Sequence, residues 1–164
     1  MASLQFLLIL SVIGLSAALP ALQYPIHASC NIQWTFATTS CDKVNEALYA
    51  AANKMQGTTG CDDGSEKCLY TVESHSASKM TLKHETPKKH YKDDLTITFS
   101  ASGSGCSVKA ASTSETWYAY LDDGTNYCNL ENLLTVGGLK TSDVTEQTSD
   151  SQCTQYSSRD CSKY

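Results

Sequence analysis

No stretch of this 164-residue chain is apolar over the length of a membrane-spanning helix. The longest uncharged apolar run, Phe6 to Leu15 (FLLILSVIGL), falls short of the roughly 20 residues a span requires. Basic residues are in deficit, with 12 Lys and Arg against 17 Asp and Glu and a formal net charge of −5. A general nucleic-acid binder would be basic, so nucleic acid is not an expected partner. No two cysteines stand in a Cys-x2-Cys pair, the spacing a structural zinc site wants, and neither a metal nor another cofactor is expected. The chain has no Gly-x-Ser-x-Gly elbow and no His-Glu-x-x-His motif, which removes the two most legible hydrolase signatures. It has no Asn-x-Ser/Thr sequon; Asn126-Tyr127-Cys128 is at most a rare variant acceptor. No internal repeat is evident.

The apolar run has the length of a signal-peptide core. Ser16 and Ala18 follow it at the spacing a signal peptidase reads, which predicts a signal peptide over 1–18 and a secreted product. Residues 19–29, with Pro20 and Pro25, read as an extended lead-in, and 30–164 as one domain. The C-terminal SSRDCSKY is polar and is neither a GPI tail nor a retention tetrapeptide. All eight cysteines lie in the predicted domain: Cys30, Cys41, Cys61, Cys68, Cys106, Cys128, Cys153 and Cys161. An even set in an oxidising compartment reads as four disulfides. Eight cysteines allow about 105 pairings. The two shortest gaps suit local closures, and Cys61–Cys68 and Cys153–Cys161 are the expected ones.

Hydrophobic periodicity then places the elements. Ile32, Trp34 and Phe36 alternate with Gln33 and Thr35 across 31–37, the pattern of a half-buried strand. Val44, Ala47, Leu48, Ala51 and Met55 recur at three and four, one stripe of a helix. Ser40 or Asp42 is placed to cap it, and Gly57 to end it. After the loop GTTGCDDGSE, strands are expected over 68–74, 79–85, 94–101, 106–113 and the aromatic-rich 115–122 (ETWYAYLD). Short turns between them favour antiparallel pairing. Leu130, Leu133 and Leu134 predict a short helix of about two turns over 129–136, and an irregular strand is expected near Val144. The order of elements points to an α+β fold: a curved antiparallel sheet packed on one main N-terminal helix and stabilised by disulfides. This order resembles that of the cystatins, secreted inhibitors of papain-type proteases in which a curved sheet grips one helix. The Gln-x-Val-x-Gly hairpin with which a cystatin enters the protease cleft is absent, so the resemblance transfers no site residue.

The densest positive charge is the stretch KMTLKHETPKKHYK, with Lys79, Lys83, Lys88, Lys89 and Lys92. Its functional reading is a site for a sulfated, anionic glycan, an anionic lipid or an acidic partner; its simpler reading is a solvated hairpin whose charges guard a sheet edge. Lys88-Lys89 also has the form of a dibasic processing site. His84 and His90 belong to the same stretch, where satisfied or solvated imidazoles are expected, and His27 and His75 stand apart. The pairs Asp62-Asp63, Asp93-Asp94 and Asp122-Asp123 read as turns. Trp117, Tyr118, Tyr120 and Tyr127 cluster, with Trp117, Ala119 and Leu121 expected in the core and Tyr118 and Tyr120 on the other face. The chain thus reads as a non-enzymatic secreted binding or structural module whose partner is an extracellular protein or an anionic glycan. A secreted protease inhibitor and an anion-binding defence protein are the alternatives.

Overall fold

A computed structural model describes residues 27–116 and 118–164. The expected signal peptide, most of the lead-in and Trp117 lie outside the described residues. Strand β1 (Ser29–Phe36) turns Cys30, Ile32, Trp34 and Phe36 inward. Helix α1 (Cys41–Lys54) follows. The chain then meanders through β2 (Tyr70–His75), β3 (Lys79–Glu85), β4 (Lys92–Ser102) and β5 (Gly105–Ser114). It closes with α2 (Thr125–Val136) and β6 (Val144–Gln147). The six strands make one sheet in the order β2-β3-β4-β5-β1-β6, antiparallel at every pairing.

The connection from β1 to β2 explains α1. The two strands stand four places apart in the sheet, about 19 Å at the usual spacing of neighbouring strands. A helix of 14 residues rises about 21 Å, so α1 is as long as the distance it crosses. It lays Val44, Leu48, Ala51, Ala52 and Met55 on the sheet, all buried. Ser40 stands at the N-cap position without a side-chain cap bond. Gly57 takes up the left-handed φ of +67° beyond the end, as a helix terminator should.

The architecture is α+β, with two helices sharing the sheet's apolar face in place of the single main helix expected. Helix α2 runs three turns, starting at Thr125 rather than Asn129. Its asparagines read locally as loop formers, but Asn126, Asn129 and Asn132 are all buried. The described residues of the expected strand over 115–122 form no strand. Glu115 N donates to Lys92 O at 2.8 Å, and β4 begins there, so β4 offers no partner beyond that rung. Leu121, expected in the core, is 72% exposed.

Cys61–Cys68 is bridged as the short gap implied. Cys153–Cys161 is not: Cys153 joins Cys30 and Cys161 joins Cys128, while Cys41 joins Cys106. Cys153 lies opposite Cys30 in an isolated antiparallel bridge, and Cys128 sits on the buried side of α2. The irregular C-terminal segment is therefore sutured to β1 and α2 rather than to itself. No cysteine is left free.

Candidate functional site

Three adjacent strands end their inward series on a polar residue. On β3 the buried series is Met80, Leu82, His84; on β4 it is Phe99, Ile97, Leu95, Asp93; on β5 it is Val108, Ala110, Ser112, Ser114. The register puts His84 opposite Asp93 and Asp93 opposite Ser114, with Tyr70 of β2 opposite His84. The result is one polar row, Tyr70–His84–Asp93–Ser114, across four strands at one end of the sheet's covered face.

Burying polar groups is costly unless they are paired, and α2 supplies the partners. Asp93 is 3% exposed; its Oδ1 accepts from Ser114 Oγ at 2.8 Å and its Oδ2 from Asn129 Nδ2 at 2.7 Å. Asn126 accepts from Ser112 Oγ at 2.6 Å and donates to Ser114 Oγ at 3.0 Å. The Tyr70 hydroxyl donates to Asn129 O at 2.9 Å, and burial raises its pKa. His84 is fully buried. Its Nε2 lies 2.9 Å from Glu66 O; a carbonyl only accepts, so Nε2 carries a proton. Its Nδ1 lies 3.9 Å from Asp93 Oδ2.

Asp93 and Ser114 of this network form the floor of a cleft of about 540 Å³. One wall carries Thr116, residues 118–123 and Thr125 at the start of α2, and another carries Thr86, Lys89 and Tyr91 from the β3–β4 turn; Glu66 and Tyr164 complete it. The first of these walls is anchored at the start of α2. Asp122 accepts from Gly124 N at 3.1 Å and from Asn126 N at 3.0 Å and Nδ2 at 2.8 Å, capping the free N–H groups there. Gly124 has a φ of +82°, and a Cβ on it would meet Arg159 Cβ at 2.6 Å, so glycine is required on both grounds. Tyr91, Tyr118, Tyr120 and Leu121 are all more than half exposed and form the rim. Burial raises the Glu66 carboxyl above its ordinary range, outweighing His84 nearby. Asp122 is raised as well, burial prevailing over the hydrogen bonds from Asn126 and Gly124. Glu66 Oε2 and His84 Nδ1 are shielded from solvent without a hydrogen-bond partner.

The basic stretch is distributed differently from its density in sequence. Lys79 and Lys83 lie on the outer side of β3. Lys83 is held between Asp94, at 2.6 Å, and Glu115, and those hydrogen bonds raise its pKa. Lys92 lies 3.9 Å from Glu85. Lys88 and Lys89 occupy the exposed turn between β3 and β4. That turn is closed by Thr86 N to Tyr91 O at 2.9 Å and His90 N to Thr86 O at 3.0 Å, so a protease reading the dibasic pair would have to open it. Lys89 alone of the five lines the cleft.

His90 is exposed and bonded to Glu85 at 2.7 Å, as the solvated reading implies. His84 departs from it: the strand alternation carries it into the interior. Asp93-Asp94 is no turn; it lies within β4 with Asp93 inward and Asp94 outward. Asp62 opens a short 3-10 turn and Asp122-Asp123 a tight turn before α2, both as expected. Tyr127 leaves the tyrosine cluster for the core, where its hydroxyl donates to Glu146 Oε1 at 3.0 Å. Glu66, Ser114 and Asn129 were not singled out by sequence, and Asp93 and Asn126 only as part of an expected turn and of a variant glycosylation acceptor. The signal that would have found two of them, Asp93 and Ser114, is the strand alternation carried one or two steps past its last apolar residue. No protein-family model matches the chain, and neither a curated protein nor a solved structure matches it.

Proposed function

We propose that the protein is a secreted, disulfide-tied binding module, without catalytic chemistry of its own, that receives a small organic ligand in the cleft beside Asp93. The cleft carries this reading. Its volume of about 540 Å³ is in the range that ligand pockets occupy, and its rim is aromatic while its floor is polar and fixed. Four disulfides fit an oxidising compartment and favour a preformed site, which lowers the entropy lost on binding. The non-catalytic part of the reading rests on how the polar row is used. The Ser114 hydroxyl donates to Asp93, and His84 Nε2 is held by the Glu66 carbonyl. A nucleophilic serine needs a free base to take its proton, and the base on this hydroxyl, the Asp93 carboxylate, is already engaged by Asn129. A library of neutral, cationic and anionic small molecules, screened by amide and tyrosine resonance shifts on the oxidised protein, tests the proposal. Shifts confined to Tyr91, Tyr120, Tyr164 and their neighbours support it. A ligand that leaves these unmoved and perturbs the outer sheet face, or turnover of a substrate abolished by Ser114→Ala in a folded protein, would overturn it.

A further inference from the structure

Resting on the reading of this cleft as the binding site, we infer that its ligand is an organic ammonium ion with an apolar body. The walls supply the first argument. Tyr91, Tyr118, Tyr120 and Tyr164 line this one cleft, four of the nine tyrosines in the chain. The face of a tyrosine ring is negative and attracts a cation, and several rings around one space are the usual means of holding an ammonium group. The charges supply the second. Glu66, Asp93, Asp122 and Asp123 border the cleft against the single cation Lys89.

These carboxylates differ in what they have left to give. Both Asp93 oxygens are taken by Ser114 and Asn129, and both Asp122 oxygens by the start of α2. Their charge biases the cleft, but they have little hydrogen-bonding capacity left. Glu66 has capacity: Oε2 is screened from water and unpartnered. The charge of Lys88 acts on this carboxyl without outweighing its burial, so a cation arriving in the cleft adds counter-charge to a poorly solvated group. An anionic ligand would meet the opposite field, so the anionic glycan expected from the lysine stretch is not the occupant of this cleft.

The experiment uses three probes of nearly one shape on the oxidised, folded protein: 2-phenylethylammonium, 2-phenylethanol and phenylacetate. Binding is followed by resonance shifts of the cleft tyrosines. The expected order is cation, then alcohol, then anion, with the cation about tenfold tighter than the alcohol. Glu66→Gln brings the cation down to the affinity of the alcohol, and Lys89→Ala, at an exposed turn position, tightens the cation. Melting curves of both variants establish that they fold. If the alcohol or the anion binds in the cleft as tightly as the cation, or if Glu66→Gln leaves the cation's affinity unchanged, the ammonium inference falls and the binding cleft stands. If none of the three moves the cleft tyrosines at millimolar concentration, both fall.

Discussion

Asp93 and Asp94 are neighbours on one strand, identical in chemistry and opposite in surroundings, and truncating each gives a sharp test of the buried row. Asp93→Ala removes the acceptor for the Ser114 hydroxyl at 2.8 Å and the Asn129 amide at 2.7 Å. Hydrogen bonds to a charged group contribute about 1.5–3 kcal/mol each, and a buried donor left without a partner forfeits its solvation. Water entering the space left by the carboxylate recovers part of this, so the expected loss is about 3–4 kcal/mol. Small domains hold only about 5–15 kcal/mol in all. At this chain length the loss lowers the melting temperature by roughly 10–15 °C. Asp93→Asn is milder, at about 1 kcal/mol: Oδ1 still accepts from Ser114, and Asn129 can turn its unpartnered Oδ1 toward the new amide. Asp94→Ala loses an exposed pair with Lys83, which is worth about 0–1 kcal/mol. Urea unfolding of the oxidised proteins, with all four bridges verified, gives the three numbers. Asp93→Ala no more damaging than Asp94→Ala would refute the claim that the Asp93 carboxylate is sealed in and held by both its partners.

The disulfides should rank by the loop each closes. Replacing Cys30 and Cys153, 123 residues apart, with serine costs about 5 kcal/mol by chain entropy, whereas replacing Cys61 and Cys68, 7 apart, costs about 2.5 kcal/mol; denaturation midpoints decide, and equal costs would count against the entropic account. Non-reducing peptide mapping should recover Cys128–Cys161 and no Cys153–Cys161 peptide. Glu66 makes stability fall with rising pH. Its folded pKa is raised above an ordinary value near 4.5, so the native state binds more protons than the unfolded one. The penalty is absent below that value, grows as pH climbs toward the folded pKa and is complete above it; Glu66→Gln should flatten this part of the stability profile, and an unchanged profile would assign the slope to Asp122 or another group. Glu146→Ala takes the acceptor from Trp34 Nε1 at 2.9 Å and from the Tyr127 hydroxyl, and should destabilise by about 2 kcal/mol, read by thermal melting. A heparin column should retain the protein weakly at physiological salt, because Lys83 is already neutralised by two carboxylates; firm retention abolished by Lys88→Ala with Lys89→Ala would restore the anion site.

The alternation of apolar and polar residues made most of the strands legible. It placed β3 over the residues it occupies and β1, β4 and β5 to within two residues, because a sheet with one covered face forces the inward series to be apolar. The 115–122 segment failed for the opposite reason. Its aromatic content carries strand propensity, but propensity in a sheet is realised only beside a partner strand, and β4 offers none beyond Lys92. The disulfides show the same limit. Cys61 and Cys68 are close in the chain and close in space, whereas Cys153 and Cys161 find partners that only the packing of β1 and α2 brings to them.

The cleft floor was hidden for a reason that bears on what it does. His84, Asp93 and Ser114 each look like the polar residue that marks the end of a strand, and each sits in a different strand. Nothing local in the sequence aligns them; the register does, by placing them opposite one another. Apolar residues at these positions would continue the core and cost nothing in desolvation. The chain instead carries a histidine, a carboxylate and a serine there, and then supplies Asn126 and Asn129 one helical turn apart to bond the serine and the carboxylate. Such an arrangement gains little stability over a hydrocarbon core, and local rules tend to be broken where a site demands it. The polar end of an otherwise apolar sheet face is also where the cleft opens and where four tyrosines gather. One requirement accounts for both: a rigid polar floor beneath an aromatic rim.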